Sequence, residues 1–131
     1  MDILITYLMA IVFIFAGEAK PVVFSYYQAV PEQTDADPSM SACGKTMGAW
    51  EQIAIHRNYR HSGEHDCGDV ILAYNPRVGF KLIVINDITA IHTPSERWDV
   101  LVGNEEPAME YGLDDGWVIN VSRLDVASLG W

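Results

Sequence analysis

Phe80-Lys81-Leu82-Ile83-Val84-Ile85-Asn86-Asp87 is the clearest strand in the chain, a nearly continuous apolar run rich in β-branched residues that ends on an aspartate. A carboxylate at a strand end is held rigidly and can face a cleft, as acid/base chemistry requires. Outward from this run, residues 22–27, 52–56, 69–74, 98–102 and 117–121 have the same short, β-branched and aromatic character. Asp99 lies beside an apolar segment in the fifth of these six runs. Asn75-Pro76-Arg77-Val78-Gly79 reads as a turn, residues 31–45 as a loop, residues 58–68 as polar and irregular, and residues 88–97 as a further loop. Residues 105–112 read as one or two helical turns closed by Gly112. Six short strands with little helix predict an all-β fold, a small barrel or sandwich.

The chain has 131 residues, half of them apolar, which suits one domain with a real core. Its first 19 residues stand apart. Residues 3–15 are almost wholly apolar between Asp2 and Glu18, and Gly17 and Ala19 fit a signal-peptidase site before Lys20. The run is short for a membrane span, which needs about 20 residues. No Lys or Arg precedes it, so a retained signal anchor, or a buried element of the domain, stands beside a cleaved signal. Residues 20–131 form the expected domain, exported to the periplasm, the cell wall or the medium, with membrane contact only through an uncleaved N-terminal segment. Without residues 1–19, Asp2 and Glu18 are lost, leaving 16 acidic against 8 basic residues. That balance argues against a nucleic-acid ligand and disfavours anionic lipid, while a neutral, sugar-rich or mixed-charge target remains compatible. Cys43 and Cys67 are the two cysteines; behind an export signal they suggest a disulfide closing a loop of about 25 residues, worth roughly 3–4 kcal/mol, the alternative being two buried free thiols.

Several short motifs occur in order. Tyr26 and Tyr27 lead to Thr34, Asp35, Asp37 and Pro38; then come Ser41-Ala42-Cys43-Gly44, Ile53-Ala54 and Cys67-Gly68-Asp69-Val70. Asp87 and Asp99 follow, and Ala108, Tyr111 and Gly112 close the series. Over residues 22–121 this series resembles the three-aspartate, or 3D, domain, a double-psi β-barrel of bacterial and phage cell-wall enzymes. That domain is related to the A-type membrane-bound lytic murein transglycosylases and, more distantly, to rare-lipoprotein-A and expansin barrels. Ser41 stands where the family usually has Thr, and the loop from Ile88 to Glu96 lacks the Gly or basic residue that often follows the strand-end Asp, which puts substrate contacts in question more than the fold.

The resemblance implies a six-stranded double-psi barrel that cleaves the glycan strands of peptidoglycan as a lytic transglycosylase, without a cofactor. Asp99 maps onto the acid/base, and Asp87 onto the carboxylate that sets its protonation. Thr34, Asp35 and Ser41 map onto substrate or support positions, Asp35 ahead of Asp37. A glycoside hydrolase usually needs two carboxylates. A lytic transglycosylase uses the 6-hydroxyl of muramic acid as nucleophile, so one carboxyl can protonate the leaving oxygen and then accept the hydroxyl proton. It must be protonated near neutral pH, hence raised by burial or a neighbouring carboxylate. The alternative is a non-catalytic wall-binding or virion module on the same barrel.

Each aspartate also has a plain reading: Asp35 and Asp37 cap a turn before Pro38, Asp87 caps a strand end, and Asp114 and Asp115 form a solvated turn. His61-Ser62-Gly63-Glu64-His65 matches a zinc-peptidase pattern, but Ser62, Gly63, Asp66 and Gly68 argue against the helix such a site needs, so no metal is expected. His92 reads as a solvated loop residue. Four Trp and six Tyr could stack on sugars, but core packing is their commoner role, and Trp98 should point away from Asp99.

Overall fold

The structure is a computed structural model describing residues 3–5, 19–29, 42–44 and 48–123. Its strands are β1 (Lys20–Gln28), β2 (Gln52–Ile55), β3 (Val70–Asn75), β4 (Gly79–Ile88), β5 (Arg97–Val102) and β6 (Asp114–Asn120). They close in the order β1-β5-β2-β4-β3-β6, the double-psi β-barrel expected from the sequence. β1 runs parallel to β5 and β2 parallel to β4, while the other neighbours are antiparallel. The expected segment 1–19 lies largely outside the described residues. No helix among the described residues is long and apolar enough to cross a membrane.

Alternation along the strands sorts side chains to the two faces. Val22, Phe24 and Tyr26 of β1, Ile53 and Ile55 of β2, Ile83 and Ile85 of β4, and Trp98, Val100 and Val102 of β5 fill the barrel. Each such aliphatic or aromatic side chain stabilises the fold by roughly 1.5–3 kcal/mol. Trp98 is fully buried, on the opposite face of β5 from Asp99, as the period of two requires. The barrel is tight at Gly116, where a Cβ would sit 2.3 Å from the Tyr74 carbonyl oxygen and 2.5 Å from the Phe24 ring.

Two expectations are corrected. Asp114 and Asp115 are not a turn but the first residues of β6, paired with Phe24 and Val23. The strand starts this early because the Asp114 carboxylate accepts hydrogen bonds from the Tyr26 hydroxyl and from Arg77 Nε at 2.6 Å. Burial, reinforced by Asp114, pushes the Tyr26 hydroxyl up to about 12. Residues 58–68 are not wholly irregular either, since α1 spans Arg57–Ser62. His56 Nδ1 caps it by accepting the Asn58 N–H at 3.1 Å, and Gly63 ends it in the left-handed region. The helix stops between the two histidines of the zinc-like pattern. His61 is exposed on α1, whereas His65 is buried beyond it against Tyr59 and Trp98. They do not share a helix face, and no group of three or more metal-ligating side chains among the described residues is placed to hold an ion. The second helix, α2 (Ala108–Tyr111), ends at Gly112 as the sequence suggests, and Cys43 and Cys67 form a disulfide.

Gly116→Ala is expected to lower the urea midpoint by the equivalent of about 1–3 kcal/mol or more, because the carbonyl it would strike is backbone and cannot swing away. An unchanged midpoint would mean that the barrel is looser at this crossing than described.

Candidate functional site

The site is organised by β2. Ala54 pairs with Asp87 of β4 on one side and Asp99 of β5 on the other, and Asp99 pairs in turn with Ser25 of β1. Residues opposite one another in neighbouring strands share a face. Asp87, Ala54, Asp99 and Ser25 therefore form one row across the outside of the barrel, with only a methyl group between the two carboxylates. Asp87 reaches this row through a bulge. Ile53 pairs with Ile85 and Ala54 with Asp87, so Asn86 is the extra residue on β4. With strict alternation Asp87 would follow Ile83 and Ile85 into the core; the added residue turns it outward and lets Ile88 turn back in.

The carboxylates are held differently. Asp87 Oδ1 accepts the backbone N–H groups of Ala42 and Ile88, both at 2.9 Å, and its Oδ2 accepts the Tyr27 hydroxyl at 3.3 Å. Behind Tyr27 runs a buried polar chain in which Asn86 Nδ2 donates to Gln52 Oε1 at 2.8 Å and Gln52 Nε2 donates to the Tyr27 oxygen. Because that oxygen already accepts the amide, the Tyr27 proton is directed at Asp87. Burial, with the Asp87 charge adding to it, drives the Tyr27 hydroxyl far above its ordinary value and keeps it a donor.

Asp99 accepts the Ser25 hydroxyl at 3.0 Å. Burial raises Asp99 to about 6 and the Asp87 charge adds to the rise, while Ser25 and Arg97 pull the other way. Two nearby carboxyl groups in unequal surroundings divide the roles of proton holder and anion. Asp99 is the one that keeps its proton up to about pH 6.

The structure thus brings Asp87 and Asp99 together. Thr34, Asp35, Asp37 and Ser41 lie outside the described residues, although Ala42, next to Ser41, reaches Asp87. His92 is exposed in the loop after β4. Ser25, Gln52 and Asn86 were not foreseen as site residues. Ser25 carried a faint signal, a hydroxyl set between Phe24 and Tyr26 on the strand's other face.

No protein-family model and no curated protein sequence matches the chain. Among solved structures it is similar to the expansin of Clavibacter michiganensis. An aspartate-to-asparagine mutant of that expansin in complex with cellohexaose aligns with a TM-score of 0.55 at 14% identity, over 79% of this chain and 50% of the expansin chain. The apo form aligns with a TM-score of 0.54 over the same shares. The chain therefore spans about half the length of these structures, and the likeness is one of fold.

The row has a testable pH signature. Asp99 binds its proton more tightly when folded, so its contribution to stability is fully present below its ordinary 3.8 and is lost as pH rises through about 6. His65 opposes it: burial, with Lys20 adding, lowers it from 6.5 to about 4, so stability is lost as pH falls through that window. Asp99→Asn removes the first effect and leaves the second. Urea denaturation at a series of pH values should show the variant gaining on wild type as pH rises from 4 to 7, by roughly 3 kcal/mol in total. Parallel profiles would deny Asp99 its raised affinity for the proton.

Proposed function

We propose that this barrel is an exported module that binds the glycan of a bacterial cell wall, with the Asp87–Ala54–Asp99–Ser25 row as its sugar contact. The row itself is the observation that carries this reading: carboxylates and a hydroxyl set in register offer acceptors and a donor to sugar hydroxyls. The fold is that of a barrel protein crystallised with cellohexaose, a β-linked glycan. The disulfide suits an oxidising, exported setting. A net charge of −10 makes a polyphosphate ligand unfavourable. Peptidoglycan strands are the glycan suggested by the ordered motifs.

A second reading is favoured by one observation, the proton affinity of Asp99. As a lytic transglycosylase, Asp99 would give its proton to the glycosidic oxygen as the bond to muramic C1 breaks. The muramic 6-hydroxyl oxygen would close on C1, and its proton would return to Asp99. The products are a 1,6-anhydro-muramic end and a free 4-hydroxyl on the departing sugar, with no water consumed and the aspartate restored. The Asp87 anion would stabilise positive charge developing on the sugar ring.

The test is to incubate the protein with purified peptidoglycan, measure the fraction that pellets with the wall, and examine the soluble products by mass spectrometry, with Asp99→Asn alongside. Pelleting that weakens severalfold in the variant, with no soluble products, is the outcome expected for a binding module. Anhydro-muramic products lost in the variant would establish the transglycosylase. Neither pelleting nor release would remove peptidoglycan as the ligand.

A further inference from the structure

We propose that the Cys43–Cys67 disulfide is a redox-sensitive latch that holds the Ala42 N–H on Asp87, so that a thiol reductant weakens the glycan site without unfolding the barrel. The inference rests on reading the aspartate row as a glycan site.

The geometry has a fixed end and a carried end. At the fixed end, the Cys67 turn is fastened to β4. Gly68 N–H donates to the Ile85 carbonyl at 2.8 Å, and Ile85 N–H donates to the Asp69 carbonyl at 2.9 Å. Within the turn, Asp66 Oδ1 accepts the Cys67 N–H at 2.7 Å and Asp69 Oδ2 accepts the Asp66 N–H at 3.0 Å. The same Asp69 oxygen takes Asn120 Nδ2 at 2.9 Å and Arg123 Nε at 3.0 Å, which ties the turn to the end of β6. Ile85 is two residues from Asp87, so the anchor and the site share one stretch of β4.

At the carried end, residues 42–44 belong to neither strand nor helix. The disulfide joins Cys43 to the anchored turn, and Ala42 donates its N–H to Asp87 across 45 positions of sequence. A covalent link one residue away greatly raises the effective concentration of that N–H at the carboxylate. Cys43 and Cys67 are both only partly buried, so a small thiol can reach them. One thiolate attacks a sulfur to give a mixed disulfide, and a second thiolate displaces it. Two electrons and two protons end on Cys43 and Cys67, and the reductant leaves as its own disulfide. Asp87 then keeps Ile88 and Tyr27 as donors but loses the localised Ala42 N–H. A hydrogen bond to a charged group lost in this way predicts about tenfold weaker binding.

The latch is tested on the full chain with two variants, the Cys43→Ser/Cys67→Ser double variant and Ala42→Pro, which removes the N–H while keeping the disulfide. Binding is read by pelleting with purified peptidoglycan, and the site by amide NMR. About tenfold weaker pelleting of both variants is expected, with the Asp87 and Ala54 amides shifted and those of Ile71 and Val118 unmoved. Wild-type pelleting by both variants, with an unmoved Asp87 amide, would overturn the latch. If the double variant does not fold, dithiothreitol added to folded wild type decides: weaker pelleting with the Ile71 and Val118 amides unmoved supports the latch, and unchanged pelleting or loss of those amides overturns it. If oxidised wild type does not pellet at all, the glycan reading fails alone, and a shift of the Asp87 amide on adding dithiothreitol still decides the latch.

Discussion

The structure depends on one inserted residue. Asn86 is the extra residue opposite β2, and its presence decides which face of β4 carries Asp87. Without the bulge, the alternation of Ile83 and Ile85 would carry the carboxylate into the apolar interior, where an unpaired charge is strongly unfavourable. With it, Asp87 comes into register with Ala54 and Asp99, and Ile88 returns to the core with Ile55. The bulge is held by its own side chain, since the fully buried Asn86 amide donates to Gln52, which orients Tyr27 toward Asp87. The residue that creates the kink therefore also begins the polar chain that serves the site.

From that placement the inequality of the two carboxylates follows. Asp87 is met by two backbone N–H groups and a phenol, and Asp99 by one hydroxyl. The site thereby sets beside Asp87 a carboxyl that keeps its proton up to about pH 6. Such a pair offers acceptors to sugar hydroxyls, and the raised Asp99 carboxyl is the group that the proposed one-carboxylate cleavage would draw on. One row of side chains thus serves both readings, which differ in whether Asp99 gives up its proton.

Much of this was legible in the residues. Runs such as 80–86 and 98–102 are strands because their β-branched and aromatic side chains fill a barrel, and Asp87 and Asp99 stand out as carboxylates beside them. What the runs do not carry is register. Nothing in Val84-Ile85-Asn86-Asp87 distinguishes a regular strand from a bulged one, and Ser25 meets Asp99 only through a parallel pairing 74 residues away. Asp114 looks like turn chemistry until Tyr26 arrives from β1 and Arg77 from the turn between β3 and β4. The helix Arg57–Ser62 was obscured by its polar composition, although His56 and Gly63 bound it in the usual way. Thr34, Asp35 and Ser41, outside the described residues, rest on the motif resemblance alone.

The most direct measurement is an amide NMR titration of the protein with a soluble β-linked glycan oligomer such as cellohexaose. Binding at the row predicts the largest shifts at Ser25, Ala54, Asp87 and Asp99, with Ala42 following. Shifts concentrated instead on Tyr74, Phe80 and Trp117, the aromatic cluster on the outer face of β3, β4 and β6, would contradict the account and move the sugar contact to another side of the barrel.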